Sequence, residues 1–137
     1  MKHITRATAA AGAALAAAGL LLAGPAQAVS GATPSGDWLF LTVTRGESPS
    51  TDSHGTLLLC DPPKGHPHAA DACAVLAAAG GDIARIPQKD VFCPMIYAPV
   101  TARAHGQWKG RPVEFQETYA GECVMNARTG PVFALDG

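Results

Sequence analysis

Four cysteines, Cys60, Cys73, Cys93 and Cys123, constrain this chain more than any other feature, because they follow what reads as an export signal. Lys2 and Arg6 give a positive start, and residues 7–23 are an apolar run made mostly of Ala, Leu and Gly. Pro25 breaks the run, and Ala26-Gln27-Ala28 is a small-x-small cleavage site. The pattern predicts a secretory signal peptide over residues 1–28, removed on export. Read as a membrane anchor instead, the run is short and weakly apolar for a span. An even number of cysteines in a small exported chain reads as two disulfides. Sequence alone allows three pairings of four cysteines. Each closed loop is worth about 3–4 kcal/mol in the chain-entropy picture, comparable to the net stability of many domains.

The secreted part, residues 29–137, is long enough for one domain. Loss of Lys2 and Arg6 lowers the basic residues from 10 to 8 against 11 acidic ones, a net charge of about −3. There is no basic run, which argues against nucleic acid and against an anionic membrane surface as partners. His66 and His68 lie between Cys60 and Cys73, so zinc is the rival use of these two cysteines. Against it, there is no C-x-x-C pair, Pro67 separates the histidines, and export favours oxidised thiols. No metal site and no cofactor are expected.

Apolar patterning sets the fold class. Residues 29–37 are loose, residues 38–44 and 56–60 read as strands, residues 45–55 as a surface loop, and Asp61-Pro62-Pro63-Lys64-Gly65 as a turn. Residues 68–79 form the clearest helix, with Ala69, Cys73 and Leu76 on one face and Gly80-Gly81 as its stop. Residues 82–90 are irregular. Val100, Ala102 and Ala104 alternate with Thr101, Arg103 and His105, a half-buried strand. Gly106-Gln107 reads as a turn, and residues 108–119 as a further strand broken at 110–112. Residues 123–128 suit a short helix stopped by Gly130, and residues 131–135 a last strand. The expectation is an α+β domain, a sheet of about five antiparallel strands with two short helices and two disulfides.

No catalytic constellation is visible. Ser30, Ser35, Ser48, Ser50 and Ser53 all lie in the loose first third of the secreted chain, none in a nucleophile-elbow setting. His105 sits on an alternating strand and reads as a surface residue. Glu114 and Glu117, three apart on a strand, point to opposite faces and cannot pair as acid and base. No glycine-rich phosphate loop is present, and bridged cysteines supply no thiolate. The chain does not read as an enzyme.

One stretch remains unexplained by the core: Phe92-Cys93-Pro94-Met95-Ile96-Tyr97-Ala98-Pro99. Pro94 fixes φ and lacks an N–H. Cys93 and Ala98 each precede a proline and are pushed towards extended backbone. Met95 therefore stands in a stiff, extended segment without the periodicity of a core element, which suits a cleft that binds extended peptides. The same residues, with Glu122-Cys123-Val124-Met125-Asn126-Ala127, resemble the Streptomyces subtilisin inhibitor-like family. Leu39-Phe40-Leu41-Thr42-Val43, Thr56-Leu57-Leu58-Leu59-Cys60, Gly65-His66-Pro67, Gly80-Gly81-Asp82, Gln107-Trp108-Lys109-Gly110 and Val132-Phe133-Ala134 fit the resemblance in order.

The resemblance implies the α+β fold, pairing of Cys60 with Cys73 and of Cys93 with Cys123, and a homodimer formed through the sheet. It also implies an extracellular inhibitor of subtilisin-like serine proteases whose reactive bond is Met95–Ile96. Met95 would enter the protease's S1 pocket, with Phe92, Cys93 and Pro94 on one side of the bond and Tyr97 on the other. A long uncharged P1 side chain suits the apolar S1 pocket of subtilisin and not the cation-seeking pocket of trypsin. Two positions depart from the family pattern. Ala98 stands where members usually have Asp, and Gly121 where many have a polar residue able to brace the loop from below. The other function class the residues allow is a secreted, disulfide-stabilised binding or assembly module with no protease target.

Overall fold

The computed structural model describes residues 34–46 and 52–136; the signal-peptide reading and residues 47–51 of the loop read at 45–55 lie outside them. The elements in order are β1 (Trp38–Arg45), β2 (Ser53–Cys60), β3 (Pro63–Lys64), α1 (Ala69–Ala78), a short 3₁₀ turn (Ile83–Arg85), β4 (Val100–Trp108), β5 (Arg111–Tyr119) and α2 (Glu122–Thr129). The strands form one antiparallel sheet in the order β3-β2-β1-β4-β5.

The period-two pattern decides which face is covered. Leu39 and Leu41 of β1, Leu58 of β2 and Ala102 and Ala104 of β4 are buried on one face. Ala72, Cys73 and Leu76 of α1 and Met125 of α2 belong to the same core, together with Val132 and Phe133, whose ring stacks on Phe115 at 5.9 Å. The small side chains at 102 and 104 leave room for these elements. Phe40, Leu57 and His105 lie on the opposite, uncovered face, with Phe40 and His105 in ring contact at 5.3 Å. Both expected disulfides are present, Cys60–Cys73 and Cys93–Cys123, with Cα separations of 5.5 and 5.7 Å. The zinc reading thereby loses both of its thiolates to the Cys60–Cys73 bond.

Five features differ from the sequence reading. The turn read at Gly106-Gln107 is strand: Gly106 continues β4 because a Cβ there would run into the Trp38 carbonyl of β1. The chain reverses at Lys109-Gly110, whose φ values of 48° and 76° both lie in the left-handed region, so Trp108 faces Arg111 across a two-residue hairpin. The Lys109 N–H also donates to Asp37 Oδ1 at 2.6 Å. The break read at 110–112 is therefore the turn itself. Residues 131–135 are not a strand. Val132 donates to Thr129 O, Ala134 to Pro131 O and Leu135 to Phe133 O, so this run satisfies its backbone in local turns while its apolar side chains enter the core. The fifth strand is instead β3, inside the segment read as a turn at 61–65. β2 starts at Ser53, within the segment read as loop, because Ser53, His54 and Gly55 pair with Thr44, Val43 and Thr42 of β1.

His66 ties the start of α1 to the chain's last turns. It is buried, its Nε2 lies 2.9 Å from Val132 O, and its Nδ1 accepts from the His68 N–H at 2.8 Å. An acceptor at Nδ1 puts the proton on Nε2, so both ring nitrogens are satisfied in the neutral form. Burial first, and His68 as a lesser influence, lower its pKa from the usual 6.5, against the bond to Val132. The folded state thus binds this proton less tightly than the unfolded chain does. The His66 contribution is complete above the unfolded value and is lost as pH falls below it. The thermal midpoint should be level above about pH 7 and decline from about pH 6.5 downwards, with the decline at mildly acidic pH flattened in His66→Gln. A parent midpoint unchanged down to about pH 5 would contradict this.

Candidate functional site

The expected loop residues come together in the segment from Pro87 to Pro99, which has no regular secondary structure and connects the 3₁₀ turn to β4. Pro87, Pro94 and Pro99 withhold N–H groups from any ladder, and the residues before them avoid helix. The segment bulges from the body so far that Met95 is 101% exposed and Phe92 94%. Ile96 and Tyr97 are exposed as well, and Cys93 is half-buried. An apolar side chain held wholly in water contributes nothing to the fold's own burial. Met95 is therefore not a core methionine.

Exposure does not mean slackness, because both limbs are tied to the body. On the incoming limb Lys89 N–H donates to Ala127 O of α2 at 2.8 Å, and Cys93 is bonded to Cys123 of the same helix. On the outgoing limb Ala98 N–H donates to Ala120 O at 2.9 Å, and Gly46 N–H donates to Pro99 O at 2.7 Å. β5, α2 and the end of β1 thus form one platform beneath the loop. Gly121, the N-cap of α2, lies under the loop backbone: a Cβ there would stand 3.7 Å from Ile96 O and 3.9 Å from Ala98 O. That spacing is ordinary contact, so the site has room for a side chain that this chain lacks. A cavity of about 500 Å³ consequently separates Met95, Ile96 and Tyr97 from Gly121 and Val124.

Tyr119 closes the base of the platform. It is buried, and its hydroxyl donates to Glu117 Oε2 at 3.3 Å, while Arg128 of α2 lies 3.9 Å from Glu117 Oε1. Burial first, then the Glu117 charge and hydrogen bond, push the Tyr119 pKa up to about 12. The phenol is therefore neutral at any physiological pH and serves as a donor.

Among the described residues those weighed for catalysis do not converge; Ser30, Ser48 and Ser50 lie outside them. His105 is exposed on the open face between Trp38 and Phe40. Glu117 is taken up by Tyr119 and Arg128, and Glu114 stands opposite His105 on the β4–β5 register. Among the described residues no group of three His, Cys, Asp or Glu side chains could hold a metal ion. Among the same residues no helix is long and apolar enough to cross a membrane.

The reading from sequence found the exposed loop residues and the Cys93–Cys123 tether, and missed the backbone hydrogen bonds that pin the loop. Lys89, Ala98, Ala120 and Gly46 act through backbone groups, which leave no residue-type signature. Gly46, with φ of 96°, is the one anchor whose residue type carried a hint.

Comparison with known proteins agrees with this geometry. The family model for subtilisin inhibitor-like proteins matches residues 35–121. A protein of Streptomyces avermitilis, provisionally named a serine protease inhibitor, is 58% identical over 125 residues, covering 90% of this chain and 84% of its own. The subtilisin inhibitor of Streptomyces albogriseolus is 42% identical over 123 residues, covering 83% and 85%. Among solved structures, Streptomyces caespitosus sermetstatin in complex with Bacillus licheniformis subtilisin superposes with a TM-score of 0.56 at 34% identity, covering 71% of this chain and 96% of that one.

Proposed function

The chain belongs to the subtilisin inhibitor-like family, whose members are protease inhibitors and not enzymes, and from that premise we propose that it inhibits a subtilisin-type serine protease through the bond Met95–Ile96. The observation that carries the reading is a fully exposed Met95 at the crest of a segment pinned on both sides. Met95 fills the protease's apolar S1 pocket. Phe92, Cys93 and Pro94 lie along the non-primed subsites as an added strand, and Ile96 and Tyr97 take the primed side. The protease's serine and oxyanion hole then face the Met95 carbonyl.

Inhibition follows from order that exists before binding. A free peptide loses backbone entropy when it enters the cleft; a segment already held by Cys93–Cys123 and three backbone hydrogen bonds to the body loses little. If the bond is cut, the Ile96 amine stays beside the acyl-enzyme. Attack of that amine on the Met95 ester re-forms the peptide bond and returns the serine oxygen with a proton. Titration of subtilisin with the secreted protein, followed with a small peptide substrate, should abolish activity at about one loop per enzyme. Full activity at excess protein would refute the reading.

The same proposal includes secretion with cleavage after Ala28, and a homodimer through the uncovered sheet face, where Phe40 and Leu57 are exposed. Native mass spectrometry of exported protein checks both: a chain starting at or near Val29, and a species of twice its mass. A retained residue 1–28 segment would sink the first, and a monomer at all accessible concentrations the second.

A further inference from the structure

We infer that Thr101 is a positioning residue for the reactive loop, the centre of a hydroxyl clamp that locks the outgoing limb to β1 and β5. This rests on the inhibitory reading above. On β4, Arg103 and His105 follow Thr101 on the same uncovered face and both are exposed, yet Thr101 is 4% exposed. What holds it in is hydrogen bonding. Its Oγ1 donates to Gly46 O at 3.1 Å and lies 2.9 Å from Thr118 Oγ1, its register partner on β5.

A hydroxyl has one proton. Since Thr101 gives its proton to Gly46 O, the Thr118 hydroxyl donates to Thr101. Gly46 in turn donates its own N–H to Pro99 O at 2.7 Å. The chain of donors thus runs from Thr118 to Thr101 to Gly46 to Pro99. The two hydroxyl bonds polarise one another, Gly46 joins them mechanically to Pro99, and a member left unpaired at a buried position costs more than its mean worth.

The location gives the clamp its role. Thr118 is two residues before Ala120, whose carbonyl receives the Ala98 N–H, and five before Cys123, which holds Cys93. Thr101 is two residues after Pro99. The clamp therefore fixes the primed-side limb, Ile96 to Pro99, against the platform that holds the other limb by its disulfide. After cleavage this limb carries the new Ile96 amine. Its placement decides whether the amine attacks the Met95 acyl-enzyme or drifts while water attacks instead. A near-attack geometry lost by about 1 Å suffices for a large change in that competition.

Thr101→Val keeps shape, β-branching and burial but removes the hydroxyl; Thr101→Ser keeps the hydroxyl. The secreted parent and both variants are mixed with subtilisin at equal concentration, and cleavage at Met95–Ile96 is followed by mass spectrometry together with recovery of protease activity and the thermal midpoint. Thr101→Val should be cut about tenfold faster than the parent, with activity returning accordingly, and Thr101→Ser should be close to the parent. Thr118→Val, which leaves the Thr101–Gly46 bond in place, should show a smaller effect in the same direction, and it serves as the test if Thr101→Val does not fold. A folded Thr101→Val that loses thermal stability but is cut no faster than the parent makes the hydroxyl merely structural and overturns the clamp. A parent that leaves subtilisin active overturns the inhibitory reading itself, a result distinguishable from the first.

Discussion

Replacing Met95 by glycine is expected to weaken subtilisin binding by roughly 2–4 kcal/mol, about 30- to 700-fold in Kd, while the thermal midpoint stays within a few degrees of the parent. The two halves of that expectation have separate causes. Met95 is wholly exposed, so its side chain makes no native packing whose loss could destabilise the fold. On the proposed reading the same side chain would be the most deeply desolvated group at the centre of the interface, where hot spots concentrate. Met95→Lys divides the terms further. The loop backbone is held by Cys93–Cys123 and by the bonds at Lys89, Ala98 and Pro99, not by residue 95, so the lysine variant should present the same curve with a cation at its crest. It should acquire inhibition of trypsin, whose S1 pocket carries a carboxylate. Inhibition constants against both proteases, measured for the parent and the two variants, check the expectation. If both variants bind subtilisin as tightly as the parent, Met95 is not the P1 residue.

How much of this was legible in the residues depends on whether a residue's partner is local. The strand at Trp38 and the helix at Ala69 were readable because β-branched and aromatic content and a small-residue face are properties of the segment itself. The prolines around Met95 made an exposed, stiff loop readable for the same reason. Gly106 and Gly110 show where that stops. Both are glycines next to polar residues, and either could be a turn. Only the Trp38 carbonyl, brought alongside by β1, makes Gly106 a strand glycine and leaves the reversal to Lys109-Gly110. Val132 and Phe133 mislead in the opposite sense: their apolar character reflects burial, and burial is compatible with turns as well as with a strand. At the candidate site the exposure of Met95 was legible and the burial of Thr101 was not. Alternation placed Thr101 on an outer face, and nothing in the segment reveals the Thr118 and Gly46 groups that bury it.

Gly121 adds a consequence for the loop's rigidity. With no side chain between α2 and the carbonyls of Ile96 and Ala98, the crest of the loop is supported from its ends and not from beneath. The end supports therefore carry more of the ordering here than they would over a filled platform. That places unusual weight on Cys93–Cys123 and on the anchors of the outgoing limb.

Opening that bridge, with Cys93→Ser and Cys123→Ser together, should convert the protein from inhibitor to substrate, cut at Met95–Ile96 and releasing active protease. The closed segment spans a sequence separation of 30, so its loss should cost about 3–4 kcal/mol of stability, a large share of the ~5–15 kcal/mol typical of a domain. Stability alone does not predict cleavage, and a second pair of variants separates the two effects. Cys60→Ser with Cys73→Ser opens a separation of 13 between β2 and α1, away from the loop, at a similar cost of about 3 kcal/mol. Local tethering predicts that only the first pair is cut rapidly, because only there does the limb from Lys89 to Ala98 lose its attachment and regain the entropy of a flexible peptide. If both pairs are cut at the same rate at temperatures well below their melting points, global opening and not loop order governs resistance, and the tether has no special role. If the Cys93 pair stays intact in the complex, the three backbone hydrogen bonds that tie the loop to the body hold it unaided. The rate of cleavage of the two pairs, compared at equal distance below their own thermal midpoints, decides between these accounts.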